Sequence, residues 1–477
     1  MSKKLGITSK KSENFSDWYT QIIQKAELAE YTDVSGCIVF RPLAYEIWEK
    51  ISSLVDKKFK NLGIKNSYFP LFIPEKLLSK EKKHVQGFVP EVAWVTHAGS
   101  TKLQERLAIR PTSETIMYET YSKWIKSWRD LPLKLNQWNN VVRWEFKHPV
   151  PFLRTREFLW NEGHTVFATE KEANEERDDI IDIYKNVVES NMALYGLIGE
   201  KSEKEKFAGA EYTVSIEYLL PNGKAIQGPD FHHDGQNFAK AFNISFLDKN
   251  EKKQYTYQNT FAITTRMIGV MIAVHSDDKG LILPPNIAPN ELIIIPIFTK
   301  ENKEKILKKA KEIKKKLNKY NSVLDEREDY SVGWKFNESE LKGYPIRIEF
   351  GPKDLTKKQV VVVRRDTNEK KNVKITSLDK SIAKTLEDIQ NNLFEKAKDL
   401  VEKNMVEVKD LQNLKKQIKN KKIVLAPYCN DPKCEEIIKY KTGGAKTLNR
   451  PLKQTVKGNC VNCNKKAKYL FYFGKSY

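Results

Sequence analysis

The stretch from Asn140 to Thr165, NVVRWEFKHPVPFLRTREFLWNEGHT, restricts the fold more than any other part of the chain. Val141, Trp144 and Phe146 read as packing positions of a strand, and Arg143 and Glu145 share the face away from Trp144 and Phe146, because strand side chains alternate. A loop with two prolines, Arg154 and Arg156 follows, and a second apolar run, Phe158 to Trp160, closes on Glu162 and His164. The segment is therefore predicted to be two strands joined by a basic loop. Three arginines beside a proline-rich turn do little for a core, whereas a planar donor fork matches a pair of phosphate oxygens. A surface hairpin with solvated charges is the plainer reading of an isolated Arg-x-Glu, so the rest of the chain has to decide.

A chain of 477 residues exceeds what one core usually supports and predicts two or three domains. Its 83 Lys and Arg against 62 Asp and Glu leave +21, which points to a polyanionic partner. From Leu411 onward, 16 basic and 3 acidic residues give +13, so over half of the excess lies in the tail. No run approaches the ~18 apolar residues of a membrane helix. MSKKLGITSKKSENF has no apolar signal core, so a cytoplasmic location is expected. Four of the five cysteines lie in the tail. Cys429-x4-Cys434, 25 residues, then Cys460-x2-Cys463 suit a structural Zn²⁺ held by four thiolates, with no base or nucleophile evident beside them.

Trp18, Ile22, Ile23 and Ala26 have helical spacing, and Pro42 starts a long helix with a stripe of Leu43, Ile47, Ile51, Leu54 and Val55. SYFPLFI and EVAWVTHAG read as strands. Leu107 to Ile109 end another, after which Thr112 or Ser113 caps a helix with Glu114 in its first turn. Thr169 and Glu172 form a capping box before a helix reaching about Tyr195. Phe207 to Asp234 reads as two strands about Pro221-Asn222-Gly223, ending in a polar loop, QGPDFHHDGQNF; two adjacent histidines on a strand would point opposite ways. Arg266 opens an otherwise apolar helix, and a buried guanidinium needs an anion, either a carboxylate or a phosphate. Beyond a linker with Pro284, Pro285 and Pro289, ELIIIPIF, a Lys-rich helix and QVVVV suggest an α/β domain with a mostly parallel sheet. There Arg347 and Glu349 share the outer face of the strand IRIEF, and a helix from about Ser381 to Lys403 leads into the tail.

RPLAYEIWEKI, VVRWEF with its arginine loop, and TTRMIG, in that order over residues 42 to 269, resemble the three motifs of class II aminoacyl-tRNA synthetases. RPTSETIMY, LPLKLNQWN, FLRTREFLWNEGHT and GWKFNESELKGYPIRIEFGPKDL are similar to prolyl-tRNA synthetases of the archaeal and eukaryotic type, as is the four-cysteine tail. The resemblance spans nearly the whole chain. It implies an α+β catalytic domain over 1–284, an antiparallel class II sheet flanked by helices. An α/β anticodon-binding domain over 285–400 and a small zinc-binding α/β domain over 401–477 follow. The implied reaction has two steps: ATP and L-proline give prolyl-adenylate and pyrophosphate, with Mg²⁺ on the phosphates, and the prolyl group then passes to the 3′-terminal adenosine of tRNA(Pro). The family pattern is a homodimer.

By the same matching, Arg143 holds the α-phosphate and Arg266 the γ-phosphate of a bent ATP, as the two catalytic arginines. Glu145, Arg154, Thr155, Gln227, Asp230 and Thr264 complete the ATP site. Proline meets Thr112, Glu114, Arg143, Trp160, Phe231 and His232, with Glu162 and His164 as further candidates. Lys335, Glu340, Arg347, Glu349 and Lys353 face tRNA. The chain departs from the family at Asp230-Phe231, where Thr-Ser is usual, at Phe261-Ala262, where Trp-Gly is usual, and at Asp234, where Leu is usual. A carboxylate at 230 is expected to repel phosphate. Arg143 and Arg266 are 123 positions apart, which leaves no room for the editing insertion of bacterial-type enzymes. The rival readings are a related synthetase for threonine, serine or glycine, a non-catalytic paralogue that binds tRNA, and a zinc-ribbon nucleic-acid binder.

Overall fold

The computed structural model describes residues 6–78, 91–145 and 148–477, so Phe146 lies outside the described residues. An antiparallel sheet holds Leu133–Val142, Glu157–Phe167, Tyr257–Ala262, Lys224–Gly235, Tyr212–Leu219 and Leu197–Glu200 side by side. The first two are the expected hairpin around the basic loop, in register from Leu133↔Val166 to Val142↔Glu157. Phe72–Pro74, Thr101–Ile109 and Trp94–Ala98 form a separate three-stranded sheet.

Helices Phe15–Lys25, Pro42–Asn61, Glu170–Asn186 and Arg266–His275 bury their apolar stripes against one face of the large sheet. Their ends form where local chemistry stops the chain. The Asn14 side chain accepts from the Asp17 amide at 3.1 Å, Pro42 occupies the first turn, and Thr169 and Glu172 satisfy each other's backbone reciprocally. Trp18, Ile22, Ile47 and Ile51 are then fully buried, each contributing about 1.5–3 kcal/mol. Arg266–His275 is buried nearly all round, as its uniformly apolar sequence requires. The opposite sheet face carries Glu114–Trp124 and Asn237–Phe242 over a smaller core, and beside them a cavity.

Several expectations are corrected. The strand ends at Val142, and Trp144 is 39% exposed with the Arg156 guanidinium 4.5 Å above its ring, so it packs no core. QGPDFHHDGQNF is not a loop down to Asp234, because Gln227 to Asp234 lie within the central strand Lys224–Gly235. Pro229, which lacks an amide hydrogen, falls within a bulge, where Gly228 and Pro229 together face Ile216, and just before the ladder with Tyr257–Ala262 begins. The helix from Glu170 ends at Asn186 and continues as a wider turn over Val187–Asn191. Of SYFPLFI, only Phe72 and Ile73 enter the strand Phe72–Pro74.

The second unit is a five-stranded sheet in the order Ser322–Leu324, Leu292–Pro296, Ile346–Phe350, Gln359–Arg364, Lys370–Lys374. It is mixed, not mostly parallel: the first three strands are parallel and the last two antiparallel. The helix Leu378–Glu402 leads to the tail, whose strands Met405–Glu407, Ile423–Tyr428 and Tyr469–Ser476 extend the large sheet. Tyr469–Ser476 pairs with Lys224–Gly235, through Lys475↔Lys224 and Ser476↔Ala225. The basic tail is thereby hydrogen-bonded to the strand that runs on into the cavity.

Candidate active site

The cavity has a volume of about 270 Å³ and collects residues from the hairpin, the central strand and the start of Arg266–His275. Its charges are divided. Thr112, Glu114, Glu162 and His164 interact with one another, as do Arg143, Gln227, Asp230 and Arg266; Thr155, Thr264 and Glu205 also line the cavity.

Alternation aims Glu162 and His164 inward from Glu157–Phe167, and Gln137 and Asn139 inward from the neighbouring strand. Glu162 accepts from the Ser113 amide (2.8 Å), Ser113 Oγ (2.6 Å), Gln137 Nε2 (2.9 Å), Asn139 Nδ2 (3.0 Å) and Thr112 Oγ1 (3.1 Å). Burial works against its charge, but His164 and these donors outweigh it and hold the carboxyl below its ordinary range. Ser113 is thus at the helix-capping position but spends its hydroxyl on Glu162. Glu114 behaves oppositely: burial pushes it up, His164 opposes, and Glu162 adds repulsion. The Thr112 hydroxyl lies between the two carboxyls. Two buried carboxyls that share the Thr112 hydroxyl, one of them held as an anion by its donors, make a receptor for a cation.

Arg143 donates through Nε to the Pro111 carbonyl (3.0 Å) and lies 5.2 Å from the Trp160 ring centre. Arg266 donates to the carbonyls of Leu153 (3.2 Å) and Gln227 (2.9 Å). Among the described residues neither has a carboxylate at ion-pair distance. Burial and the neighbouring Arg143 make the Arg266 charge costly, and Asp230 and Glu217 offset this only in part, so the site favours an added anion. Asp230 accepts from Gln227 Nε2 at 2.7 Å and faces His232 Nε2 at 3.6 Å. His232 stacks on Phe207 with ring centres 4.7 Å apart and bonds Thr213 Oγ1 at 2.8 Å. Burial lowers its pKa, which keeps the ring neutral.

Not every expected residue belongs here. Phe231 points to the opposite face, wholly buried and stacked on Phe261, because 230 and 232 take the cavity face of the strand. Arg154 and Glu145 are exposed and do not line the cavity, since the chain has left the strand at Val142. Ser113, Gln137, Asn139, Phe207 and Thr213 were not foreseen; the one available signal was the alternation of Gln137 and Asn139 in the strand beside Glu162. Gly163 is a position of close approach: a Cβ there would meet the Phe261 ring at 1.9 Å. Asp234 lies beyond the cavity wall, within 3.5 Å of the Tyr118 hydroxyl, and burial raises its carboxyl well above the usual range.

In the second unit Lys335, Arg347 and Glu349 are buried, not on a solvated face, because Val332–Leu341 covers that side of Ile346–Phe350. Arg347 pairs with Glu340 (3.1 Å) and Glu349 (3.0 Å), and Lys335 with Asp325 (3.4 Å). Lys353 alone of the five is exposed. In the tail the sulfurs of Cys429, Cys434, Cys460 and Cys463 lie within 4.8 Å of one another. The pairs Cys434–Cys460 at 3.7 Å and Cys429–Cys463 at 3.6 Å match the roughly 3.8 Å between sulfurs on one tetrahedral zinc. No helix among the described residues is long and apolar enough to cross a membrane.

Residues 94–275 match the class II tRNA synthetase core for glycine, histidine, proline, serine and threonine, residues 291–385 an anticodon-binding domain, and residues 411–477 the C-terminal domain of prolyl-tRNA synthetase. The chain is 48% identical to a proline–tRNA ligase of Ruminiclostridium cellulolyticum, covering 98% of this chain and 97% of that one. It is 46% identical to a putative proline–tRNA ligase of Saccharomyces cerevisiae, over all of this chain and 74% of the relative. Against the bifunctional glutamate/proline–tRNA ligase of Mus musculus it is 46% identical and spans 33% of that protein. A crystal structure of prolyl-tRNA synthetase from Cryptosporidium parvum, complexed with halofuginone and AMPPNP, superposes with a TM-score of 0.95 at 47% identity over both full chains.

Proposed function

Because the chain belongs to the prolyl-tRNA synthetases, which join proline to tRNA, we propose that the divided cavity binds proline at its carboxylate end and ATP at its arginine end, and that ligation runs in two steps. The observation that carries this reading is the pairing of a buried, hydrogen-bond-saturated Glu162 with two arginines that, among the described residues, have no carboxylate at ion-pair distance. The secondary ammonium of proline sits by Thr112, Glu114 and Glu162, with His164 behind them and Trp160 and His232 bounding the ring. Its carboxylate oxygen attacks the α-phosphorus, the bond to pyrophosphate breaks, and Arg143 carries the charge that develops. Arg266 holds the far phosphate, and Thr155, Gln227, Asp230 and Thr264 complete the wall. When bound to the phosphates, Mg²⁺ would neutralise part of their charge. In the second step a ribose hydroxyl of the terminal adenosine attacks the prolyl carbonyl carbon and AMP leaves.

Residues 1–284, 285–400 and 401–477 act as catalytic, anticodon-binding and zinc-binding domains in this proposal. Zinc on the four cysteines braces the sheet that ends on the central strand. Lys353 and the rim of Glu340 are the accessible tRNA candidates, and Lys335, Arg347 and Glu349 shape the surface from beneath. The enzyme lacks a cis-editing domain and works as a cytoplasmic homodimer; the exposed Tyr31, Val39 and Tyr45 supply an apolar face for pairing. ATP–pyrophosphate exchange with each of the twenty amino acids tests the reading. Exchange with proline alone is expected, and no exchange with any amino acid would favour the non-catalytic paralogue.

A further inference from the structure

On the face of the central strand opposite the cavity, we propose that His233, Glu211 and Glu170 form a second divalent-cation site, separate from the four cysteines and independent of the assignment of the cavity. The orientation of the His233 ring carries the argument. Asn259 Nδ2 donates to the Ala173 carbonyl (2.8 Å) and to Glu176 (3.0 Å), which fixes the amide with its oxygen toward His233 Nδ1 at 2.8 Å. That oxygen only accepts, so Nδ1 carries the hydrogen and the neutral ring presents its lone pair at Nε2. Nε2 is buried in a residue only 1% exposed and has no hydrogen-bond partner. It faces Glu211 Oε2 at 3.8 Å, and the ligand atoms of Glu170, Glu211 and His233 lie within 4.8 Å of one another. A lone pair and two carboxylates turned toward one point repel unless a cation lies between them.

The surroundings hold this arrangement in place. Tyr212 stacks on the imidazole with ring centres 5.1 Å apart. A Cβ at Gly235, where φ is +55°, would fall 1.9 Å from Glu211 Oε1, so with any other residue there the Glu211 side chain would have to turn away. Asn259 gives the imidazole the outer hydrogen bond that metal-ligating histidines usually have. Both carboxylates are on exposed side chains and can close to the roughly 3 Å spacing of ligands held at about 2.1 Å from one ion. One imidazole and two carboxylates with open positions for water suit Mn²⁺, Fe²⁺ or Zn²⁺. A bound ion would tie the first turn of Glu170–Asn186 to the strand that also carries His232.

The alternative occupant is a proton, giving an imidazolium between the carboxylates, and cation binding separates the two. Full-length protein with its cysteines loaded with zinc is titrated with Mn²⁺ in the absence of ATP, and free Mn²⁺ is counted by electron paramagnetic resonance. One bound Mn²⁺ per chain is expected, with at least a tenfold weaker Kd in Glu211→Gln and in Glu170→Gln, and with displacement by added Zn²⁺. Both substitutions are at exposed positions, so folding is retained, and the Mn²⁺-induced rise in thermal midpoint is expected in the unsubstituted chain and absent from both variants. No bound Mn²⁺, or binding unchanged in both variants, would overturn the proposal.

Discussion

Glu162→Gln replaces one oxygen by an amide nitrogen in a carboxylate that accepts five hydrogen bonds, and the structure says which orientation the new side chain takes. Turning the NH₂ toward Gln137 and Asn139 opposes two amide donors. Turning it the other way opposes only the Ser113 backbone N–H, since the Thr112 hydroxyl can reverse. The second orientation is the cheaper one, and it orphans a donor in a fully buried residue, at about 1–3 kcal/mol. The remaining bonds also lose their charge assistance, roughly 1 kcal/mol each, partly offset by no longer burying an ion. Unfolding free energy of the catalytic unit is expected to fall by about 2–4 kcal/mol in urea titration. Ser113→Ala, which removes one hydroxyl donor, is expected to lose about 1 kcal/mol, and the double variant less than the sum because both changes act on one network. In pyrophosphate exchange the proline KM is expected to rise at least tenfold, equivalent to about 1.4 kcal/mol, while the ATP KM moves little. A stability loss below about 0.5 kcal/mol would refute the saturated-anion argument, and equal shifts in both KM values would refute the division of charge in the cavity.

Asp230→Thr removes a carboxylate from the arginine end and frees the Gln227 amide; the ATP KM is expected to stay or fall, and a large loss of adenylate formation would show a separate role for Asp230. Arg347→Ala leaves Glu349 with Lys370 and Glu340 with Lys279 as their remaining ion-pair partners and removes the guanidinium's hydrogen bonds, so it is expected to destabilise the second unit by about 1–3 kcal/mol and to lower tRNA charging while sparing proline-dependent exchange. Equal loss in both assays would contradict that. His275 is buried neutral beside the Met192 carbonyl, and burial lowers its pKa from 6.5 to about 4. The unfolded chain therefore binds this proton first, and stability falls as pH drops from about 6.5 to about 4, by up to roughly 3 kcal/mol. Urea midpoints measured across that range are expected to flatten in His275→Gln, and an unchanged slope would assign the acid sensitivity elsewhere.

Much of the cavity was legible because its residues sit in strings whose spacing states their direction. Arg143, Glu162, His164 and Arg266 were marked by charge inside apolar segments, and they converge. Phe231 and Trp144 were misplaced for one shared reason: an aromatic residue beside functional ones looks like a wall, but a single step along a strand, or the end of a strand, sends it elsewhere. Arg347 and Glu349 were correctly placed on one side of IRIEF, yet whether that side meets water depended on Val332–Leu341 folding over it.

What the sequence determined by itself was whatever a few neighbouring residues settle: the Thr169–Glu172 cap, the start at Pro42, the hairpin about the basic loop, and the cysteine spacing. The tertiary structure alone decided the rest. Gln227 to Asp234 carry a glycine and a proline that locally favour a loop, and the ladder with Tyr257–Ala262, with Pro229 taken up in a bulge, makes them a strand. The five donors on Glu162 come from the segments Thr112–Ser113 and Gln137–Asn139, and the tail reaches the central strand across some 250 residues. Local propensity acts over one turn or one pleat, whereas burial, charge partners and sheet neighbours are set by segments that meet only once the chain has folded.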